Sequence, residues 1–521
     1  MKCEEQEVVV IGAGVSGLVA AKCLRDDGFK VTILERTSDI GGLWTFREND
    51  YGVMRCTHIN VSKYNYAFSD FPFPENVPDY PHHSDMARYI KDYAKHFGLM
   101  EAIHFNVSVN SVEQTDGKWR INASRKTEDG SGGSEERTYV CSYLAVSTGH
   151  HAKPSWPKFE GEETFEGKIA HAVDYKDPMT NDCAEKRVLV VGIGNSAVDV
   201  AVDCTTVGRC PSVTISTRSG AWVIPNYIFG LQTDLYACRF FFLFPRWLAN
   251  NIMAMIITLM TGSPWKWGLN PKMKPLETQP TVSPTLLHHI QRGNIKIMPN
   301  IAKIMGRSVQ FVNGVTSDFD RIIYCTGYKI DLPYLPTAIK EHVLNEDTNE
   351  FKLYKNMFTQ EFGHKLAFIG FVQPASGGII TMSETQARWF SKLCKGVVKL
   401  PSKQEMVADM EKEKKESQSR WYQSARHTLQ KDPTVYNDEI ASFIGAKPSP
   451  LMNPSLAWRL IFSSGGASQW RLNGPNKWEG AAAQVRKTPL PALWNMTGLF
   501  ILALLFTALV LFGYTLFSCL Q

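Results

Sequence analysis

The chain opens on Val8-Val9-Val10-Ile11, four apolar residues in a row with no polar alternation. A short β-branched run of this kind predicts a strand buried on both faces. The turn Gly12-Ala13-Gly14-Val15-Ser16-Gly17 follows, and then an Ala- and Leu-bearing stretch to Asp27 that predicts a helix stopped at Gly28. A second strand, Lys30 to Leu34, ends on Glu35. The same order recurs later. Arg187 to Val191 predicts a strand, Gly192-Ile193-Gly194-Asn195-Ser196-Ala197 a turn, and the residues from Ala197 to about Thr206 a helix. A strand from Val213 to Thr217 then ends on Arg218. Two further apolar runs end alike, on Ser147-Thr148-Gly149 and on Cys325-Thr326-Gly327, and they bracket the second unit. The pattern therefore predicts an α/β chain with two Rossmann-like units, the smaller (155–325) inserted into the larger (1–154 and 326–445).

Between the units the polar pattern marks connections. The tract Glu128 to Glu136, containing GSGGS, predicts an exposed hairpin loop. Glu411 to Glu416 predicts a solvated helix face or loop without chemistry. Residues Phe240 to Met260 are apolar but carry Pro245, Arg246, Asn250 and Asn251, which predicts an amphipathic or buried element inside an insertion at about 220–280. After an extension at 446–495, Met496 to Cys519 contains no charged residue. Twenty-four residues at about 1.5 Å each reach roughly 36 Å, so a transmembrane anchor is expected at 496–519, with Arg486, Lys487 and Trp494 on its N-terminal side.

Composition adds exclusions. At 521 residues the chain has ample length for two or three domains, and its 44% hydrophobic and 21% charged content is that of a folded protein. A net charge of +5, with no basic stripe interleaved with aromatics, gives no reason to expect nucleic acid. Eleven cysteines, an odd count without a CxxC pair, point away from a disulfide framework, a zinc cluster or a dithiol reductase. No metal site is expected. The acidic, glycine-interrupted N-terminus does not read as a secretory signal.

The glycine turns carry the first chemistry. Gly12 permits the tight turn, Gly14 lets a pyrophosphate approach the backbone, and Gly17 lets helix and strand pack closely. The helix N-terminus around Ala13, Val15 and Ser16 supplies free N–H groups and a partial positive charge. Glu35 can accept hydrogen bonds from both ribose hydroxyls. In the second unit Gly192 and Gly194 precede Asn195, Ser196, Ala197, Val198 and Asp199, with Ala197 in the place of the third glycine. Its ribose position offers Arg218 in place of an acid. A guanidinium can grip a 2′-phosphate bidentately where a carboxylate would repel it, which selects NADPH over NADH. Two such cradles in one chain imply hydride transfer from nicotinamide to flavin.

The stretch Phe165 to Tyr175 fits FxGxxxHxxxY, through Gly167 and His171. It resembles the fingerprint of the flavin-containing monooxygenases; in the sister Baeyer–Villiger enzymes the motif ends in Trp. Gly41-Gly42-Leu43-Trp44 resembles the family's flavin-contacting loop. Asn60-Val61-Ser62-Lys63 with Phe68-Ser69-Asp70-Phe71-Pro72 resembles its active-site segment. Ser219-Gly220-Ala221-Trp222, Thr326-Gly327-Tyr328 and Gly474-Pro475-Asn476-Lys477-Trp478 resemble further landmarks, so the resemblance spans nearly the whole chain. This sequence departs from the family in Ile59, where Thr is usual, and in Arg218-Ser219, where two arginines are usual.

The resemblance implies FAD and NADPH as cofactors, and molecular oxygen and a small nucleophile as substrates. It implies a C4a-hydroperoxyflavin that oxygenates soft nitrogen or sulfur centres, with Baeyer–Villiger insertion into ketones and uncoupled NADPH oxidation as the alternatives. It assigns Asn60 a catalytic amide and places Leu43, Trp44, Ile59 and Val61 against the cofactor; a loop-capping role for Asn60 stays open. His171 is implied to position the link into the NADPH unit, and Gln373 with the Gly377-Gly378 turn to lie near the flavin ring. The family's usual address is the endoplasmic reticulum membrane with the catalytic body in the cytosol, where the sequons at Asn60, Asn106, Asn122 and Asn495 stay bare. A homo-oligomer is left open.

Overall fold

A computed structural model describes residues 2–127, 133–422 and 428–491, with the side chains of 2–6 outside the description. Strand β1 (Lys2–Ile11) leads into α1 (Val15–Asp26) and β2 (Val31–Leu34). Helix α2 (His83–His96), β3 (Ile103–His104), β4 (Val107–Thr115), β5 (Lys118–Lys126) and β6 (Ser134–Val146) complete the first segment. Val8, Val9 and Val10 are wholly buried, because β1 lies between β2 and β6 with both sheet faces covered. The three strands run parallel in register, Val8 opposite Val31 and Ile11 opposite both Leu34 and Val146. The loop 128–132, expected as an exposed hairpin, lies outside the described residues; the flanking strands pair antiparallel, Lys126 opposite Ser134.

The chain then crosses through β7 (Lys153–Pro154) into a second sheet built from β8 (Lys168–His171), β9 (Arg187–Val191) and, after α3 (Asn195–Thr206), β10 (Ser212–Ser216). An excursion containing α4 (Arg246–Thr261) precedes β11 (Ile295–Met298) and β12 (Arg321–Tyr324). The sheet order is β11-β10-β9-β12-β8, all parallel. The chain returns through β13 (Tyr328–Lys329), which pairs antiparallel with β7, Tyr328 opposite Pro154. Strand β14 (Leu366–Phe368) rejoins the first sheet beside the C-terminal half of β6. Helix α5 (Ile379–Cys394) then packs on α1, where Ser16 and Ser383 share a hydroxyl hydrogen bond at 2.9 Å.

Within the excursion, α4 is amphipathic: Ala249, Asn250 and Ile257 are buried while Trp247, Met255 and Leu259 face outward. Helix α6 (Lys403–Arg420) carries the charge run, yet two of its acids, Asp409 and Glu413, are not simply solvated. Glu413 joins Asp409 and Glu439 around the buried Lys355 ammonium, at 2.5, 2.6 and 2.6 Å. A cation already fills that acidic trio.

The expected fold class needs one correction. The two Rossmann-type units are present, but among the described residues no helix is long and apolar enough to cross a membrane. The 16 residues of α4 reach only about 24 Å, and the 18 of α6 are mostly charged and polar. The anchor expected at 496–519, and the membrane address that rested on it, lie outside the described residues.

Candidate active site

The first glycine turn packs as its sequence requires. Gly12 has φ +102°, and a Cβ there would lie 2.7 Å from the Ser147 carbonyl oxygen at the end of β6. A Cβ on Gly17 would come within 1.9 Å of the Gly12 carbonyl oxygen, so only glycine lets α1 approach β1 this closely. A Cβ on Gly14 would meet nothing nearer than Gly42 at 3.7 Å. Two side-chain-free turns thus face each other and leave bare backbone at the N-terminus of α1, which fits a pyrophosphate.

The acid at the end of β2 is tied into that turn. Glu35 is buried; Oε2 accepts from the Ala13 N–H at 2.8 Å, and Oε1 from the Thr37 N–H and hydroxyl at 2.8 Å each. Thr37 takes both lone pairs of Oε1, so the capacity left for a ribose hydroxyl lies on Oε2. The Gly41 N–H donates to the Ala13 carbonyl at 2.9 Å, which seats Gly42, Leu43 and Trp44 over the cradle. Trp44 stands edge-on to Tyr66 at 5.5 Å. Val15, the first residue of α1, packs on the core.

Asn60 sits half-buried in a loop between two buried neighbours, Ile59 and Val61. Among the described residues its side chain has no hydrogen-bond partner in the protein. Its backbone is anchored on both sides: the Ile59 N–H donates to the Pro81 carbonyl at 3.0 Å, and the Ser62 N–H to Asp234 Oδ1 at 2.9 Å. Nothing in the sequence around Asp234 points to this contact.

In the second cradle Gly192 has φ +125°, and a Cβ there would lie 2.4 Å from the Cys325 carbonyl oxygen. Ala197 and Val198 are buried against the sheet, so a methyl suffices where a third glycine is often found. Asn195 is drawn into the protein, its Oδ1 accepting from the Val282 N–H at 2.9 Å. Ser196 and Asp199 remain half-buried along the first turns of α3. Burial, and then the neighbouring Asp203, push the Asp199 carboxyl up to about 7. Arg218 is exposed just past β10, and among the described residues no carboxylate pairs with it. A free guanidinium at that place fits a 2′-phosphate.

The Phe165–Tyr175 motif turns out to be architectural. A Cβ on Gly167 would meet the Asp320 carbonyl oxygen at 2.4 Å. His171 is fully buried at the end of β8; its Nδ1 accepts from the Val173 N–H at 3.1 Å, and burial lowers its basicity. Its ring packs between Trp156 and Tyr328, 5.5 Å from each, at the crossing of β7 and β13. The Tyr175 hydroxyl donates to Asp203 of α3 at 3.0 Å. Gln373 bridges His150 and Gln279 at 3.1 and 3.3 Å, and so ties the second unit's insertion to the larger unit.

A buried ionic cluster, which sequence reasoning did not find, joins the Asn60 segment to the C-terminal extension. Arg471 donates to Ser69 Oγ at 2.6 Å and pairs with Asp70 at 3.0 Å and with Glu384. Lys22 of α1 meets the same Asp70 at 2.6 Å. Arg471 also donates to the Asn476 carbonyl at 2.9 Å, which anchors the Gly474–Trp478 landmark.

Two dinucleotide cradles, one ending in an acid and one in a free arginine, define a two-nucleotide flavoprotein. Comparison with known proteins carries this further. A family model described as "Flavin-binding monooxygenase-like" matches residues 5–489. "Flavin-containing monooxygenase 5" of Cavia porcellus is 34% identical over 507 residues, covering 93% of this chain and 92% of that protein. "Dimethylaniline monooxygenase [N-oxide-forming] 2" of Rattus norvegicus is 36% identical over 502 residues, covering 91% and 90%. Among solved structures, S-allyl-L-cysteine S-oxygenase from Allium sativum shares the fold, with TM-score 0.61 at 23% identity over 84% of this chain and 88% of that one. Cyclohexanone monooxygenase does so with TM-score 0.61 at 16% identity, covering 85% and 98%. The chain belongs to the flavin-binding monooxygenase-like family, and it is a monooxygenase that uses FAD and NADPH.

Proposed function

We propose that the enzyme transfers one oxygen atom of O2 to soft nitrogen or sulfur nucleophiles, with Asn60 as the side chain nearest the chemistry. One observation carries the substrate class: a relative named for N-oxide formation is 36% identical over 91% of this chain. FAD, reduced by NADPH, supplies the oxygen activation. The chain's own residues bind, orient and exclude water. The backbone at Gly12, Ala13, Gly14, Val15, Ser16 and Gly17 holds the flavin nucleotide's pyrophosphate, and Glu35 its ribose. Gly192, Gly194, Asn195, Ser196, Ala197, Val198 and Asp199 form the second cradle, and Arg218 holds the 2′-phosphate. Leu43, Trp44, Ile59 and Val61 wall the flavin side. The Asn60 amide, which has no hydrogen-bond partner among the described residues, can donate to the reacting groups or to NADP⁺. In this reading residues 1–154 and 326–445 form the FAD body, 155–325 the NADPH unit with its insertion at about 220–280, and 446–495 an extension.

The test supplies NADPH, O2 and in turn a tertiary arylamine, a methyl sulfide and a cyclic ketone. An N-oxide and an S-oxide, each formed in step with NADPH consumed, are expected. Hydrogen peroxide equal to the NADPH consumed, with no oxygenated product, would sink the reading. A lactone from the ketone at a comparable rate would favour the Baeyer–Villiger alternative.

A further inference from the structure

The insertion of the NADPH unit reaches back to the Asn60 loop through one buried carboxylate. Asp234 lies in a short helical turn, Thr233–Tyr236, of that insertion. It accepts from the Ser62 N–H at 2.9 Å, the Ser62 hydroxyl at 2.7 Å and the Asn65 Nδ2 at 2.8 Å. Asn65 is held in turn by the Ser464 hydroxyl at 2.5 Å. Ser62 and Asp234 are both buried. Among the described residues no basic side chain lies within salt-bridge distance of Asp234, so neutral donors alone satisfy the charge.

A carboxylate buried without a cation is an expensive way to fill space, and an apolar residue would pack there at lower cost. What the charge adds is strength and direction, since hydrogen bonds to an ionised acceptor are shorter and stronger than neutral ones. Burial raises the Asp234 carboxyl, and the Ser62 and Asn65 donors oppose that rise. The donors it holds begin two residues after Asn60. Since the Asn60 side chain has no hydrogen-bond partner among the described residues, its backbone is what aims it. That backbone is pinned at Ile59 by the Pro81 carbonyl and at Ser62 by Asp234. The antiparallel pair Tyr227–Ile228 and Leu231–Gln232, which leads into the Asp234 turn, is seated by a second acid, Asp79, which accepts from the Tyr227 hydroxyl at 2.9 Å and the Gln232 amide at 2.5 Å.

We propose that Asp234 is a positioning residue for oxygen transfer: from the NADPH unit's insertion it clamps Ser62 and Asn65 and thereby fixes the aim of Asn60. This rests on the reading of Asn60 given above. It makes the coupling of NADPH oxidation to product formation depend on where the insertion sits.

The experiment uses the full-length, FAD-loaded protein and compares wild type, Asp234→Asn, the exchange Asn65→Asp with Asp234→Asn, and Asn60→Ala. Flavin absorbance and thermal midpoint confirm a folded holoenzyme. Two quantities are read: hydrogen peroxide released per NADPH consumed, and deuterium uptake in the peptide spanning 58–66. In Asp234→Asn the amide offers fewer acceptor sites to three donors, so peroxide per NADPH should rise about fivefold and uptake should increase. The exchange restores a donor opposite an acceptor and should recover at least half of both changes. A wild-type peroxide ratio in Asp234→Asn overturns the proposal. So does an exchange variant that is folded and flavin-loaded yet no better coupled than Asp234→Asn. Should Asp234→Asn not fold, Ser62→Ala carries the test, with a smaller rise expected and an unchanged ratio overturning the proposal. Unchanged coupling in Asn60→Ala sinks the assignment of Asn60, whereas the clamp on 59–66 is judged separately by its deuterium uptake.

Discussion

The Ala13 amide donates to Glu35 Oε2 at 2.8 Å, so the acid that ends the second strand is wired directly to the glycine turn that precedes the first helix. The pair sets the turn's shape before any nucleotide arrives. Glu35→Gln keeps the size but presents an N–H to one side, and either the Ala13 N–H or the Thr37 donors lose their acceptor. The variant should purify with less bound flavin, its FAD affinity weakened about tenfold, as one lost charge-assisted bond predicts. Flavin absorbance per protein after dialysis measures this.

Arg218 is the only charged group the sequence offers at the second ribose position, and it stands exposed and unpaired among the described residues. Arg218→Ala should lower the NADPH over NADH preference in kcat/KM by about tenfold or more, and Arg218→Lys should fall between, because a single ammonium lacks the fork. An unaltered ratio would assign the 2′-phosphate to another residue.

Asp199 gives a pH signature. Its folded carboxyl titrates at about 7, above the usual value, because burial and then Asp203 disfavour the charge. The folded state therefore holds a proton that the unfolded chain has released, and the group's contribution to stability falls as pH rises from about 4 to about 7. Asp199→Asn removes this loss. Its thermal midpoint relative to wild type should be higher at pH 8 than at pH 5, as scanning fluorimetry in matched ionic strength would show. Equal differences at both pH values would place the charge elsewhere.

Arg471 and Glu384 are 1% and 2% exposed in their side chains and bonded to each other. Glu384→Gln leaves a buried guanidinium with Asp70 alone as its anion, and should cost about 3–5 kcal/mol of stability as broken buried pairs do. Urea unfolding followed by flavin release reads it. Because the cluster lies at the C-terminal extension, loss of that extension should loosen α1 as well.

Local patterns carried most of what could be read in advance. Both cradles are contiguous, and their glycines are demanded by contacts with neighbouring strands, so Gly12, Gly17, Gly192, Glu35 and Arg218 stand out in the sequence itself. Tyr175 was legible as part of a motif but not as a hydrogen-bond donor to Asp203. The clamp on the Asn60 loop was not legible at all. Asp234 is 172 residues from Ser62 and Arg471 is 402 from Ser69, and a lone acid or arginine at such separation has no periodicity to betray it. Only the path of the chain brings them together. The compositional signal at 496–519 falls outside the described residues, none of whose helices is long and apolar enough to cross a membrane.

The paired strands β7 and β13 bring Ser155 and Thr326 side by side, with the Thr326 hydroxyl on the Ser155 carbonyl at 2.6 Å. The smaller unit thus begins and ends at one point. Ends that meet are the condition under which one folded body can be spliced into a loop of another without stretching either. In the proposed division the NADPH unit sits in its host as a cassette whose covalent joints meet at a single knot of two strands, while its insertion grips the host through Asp234 and Gln279.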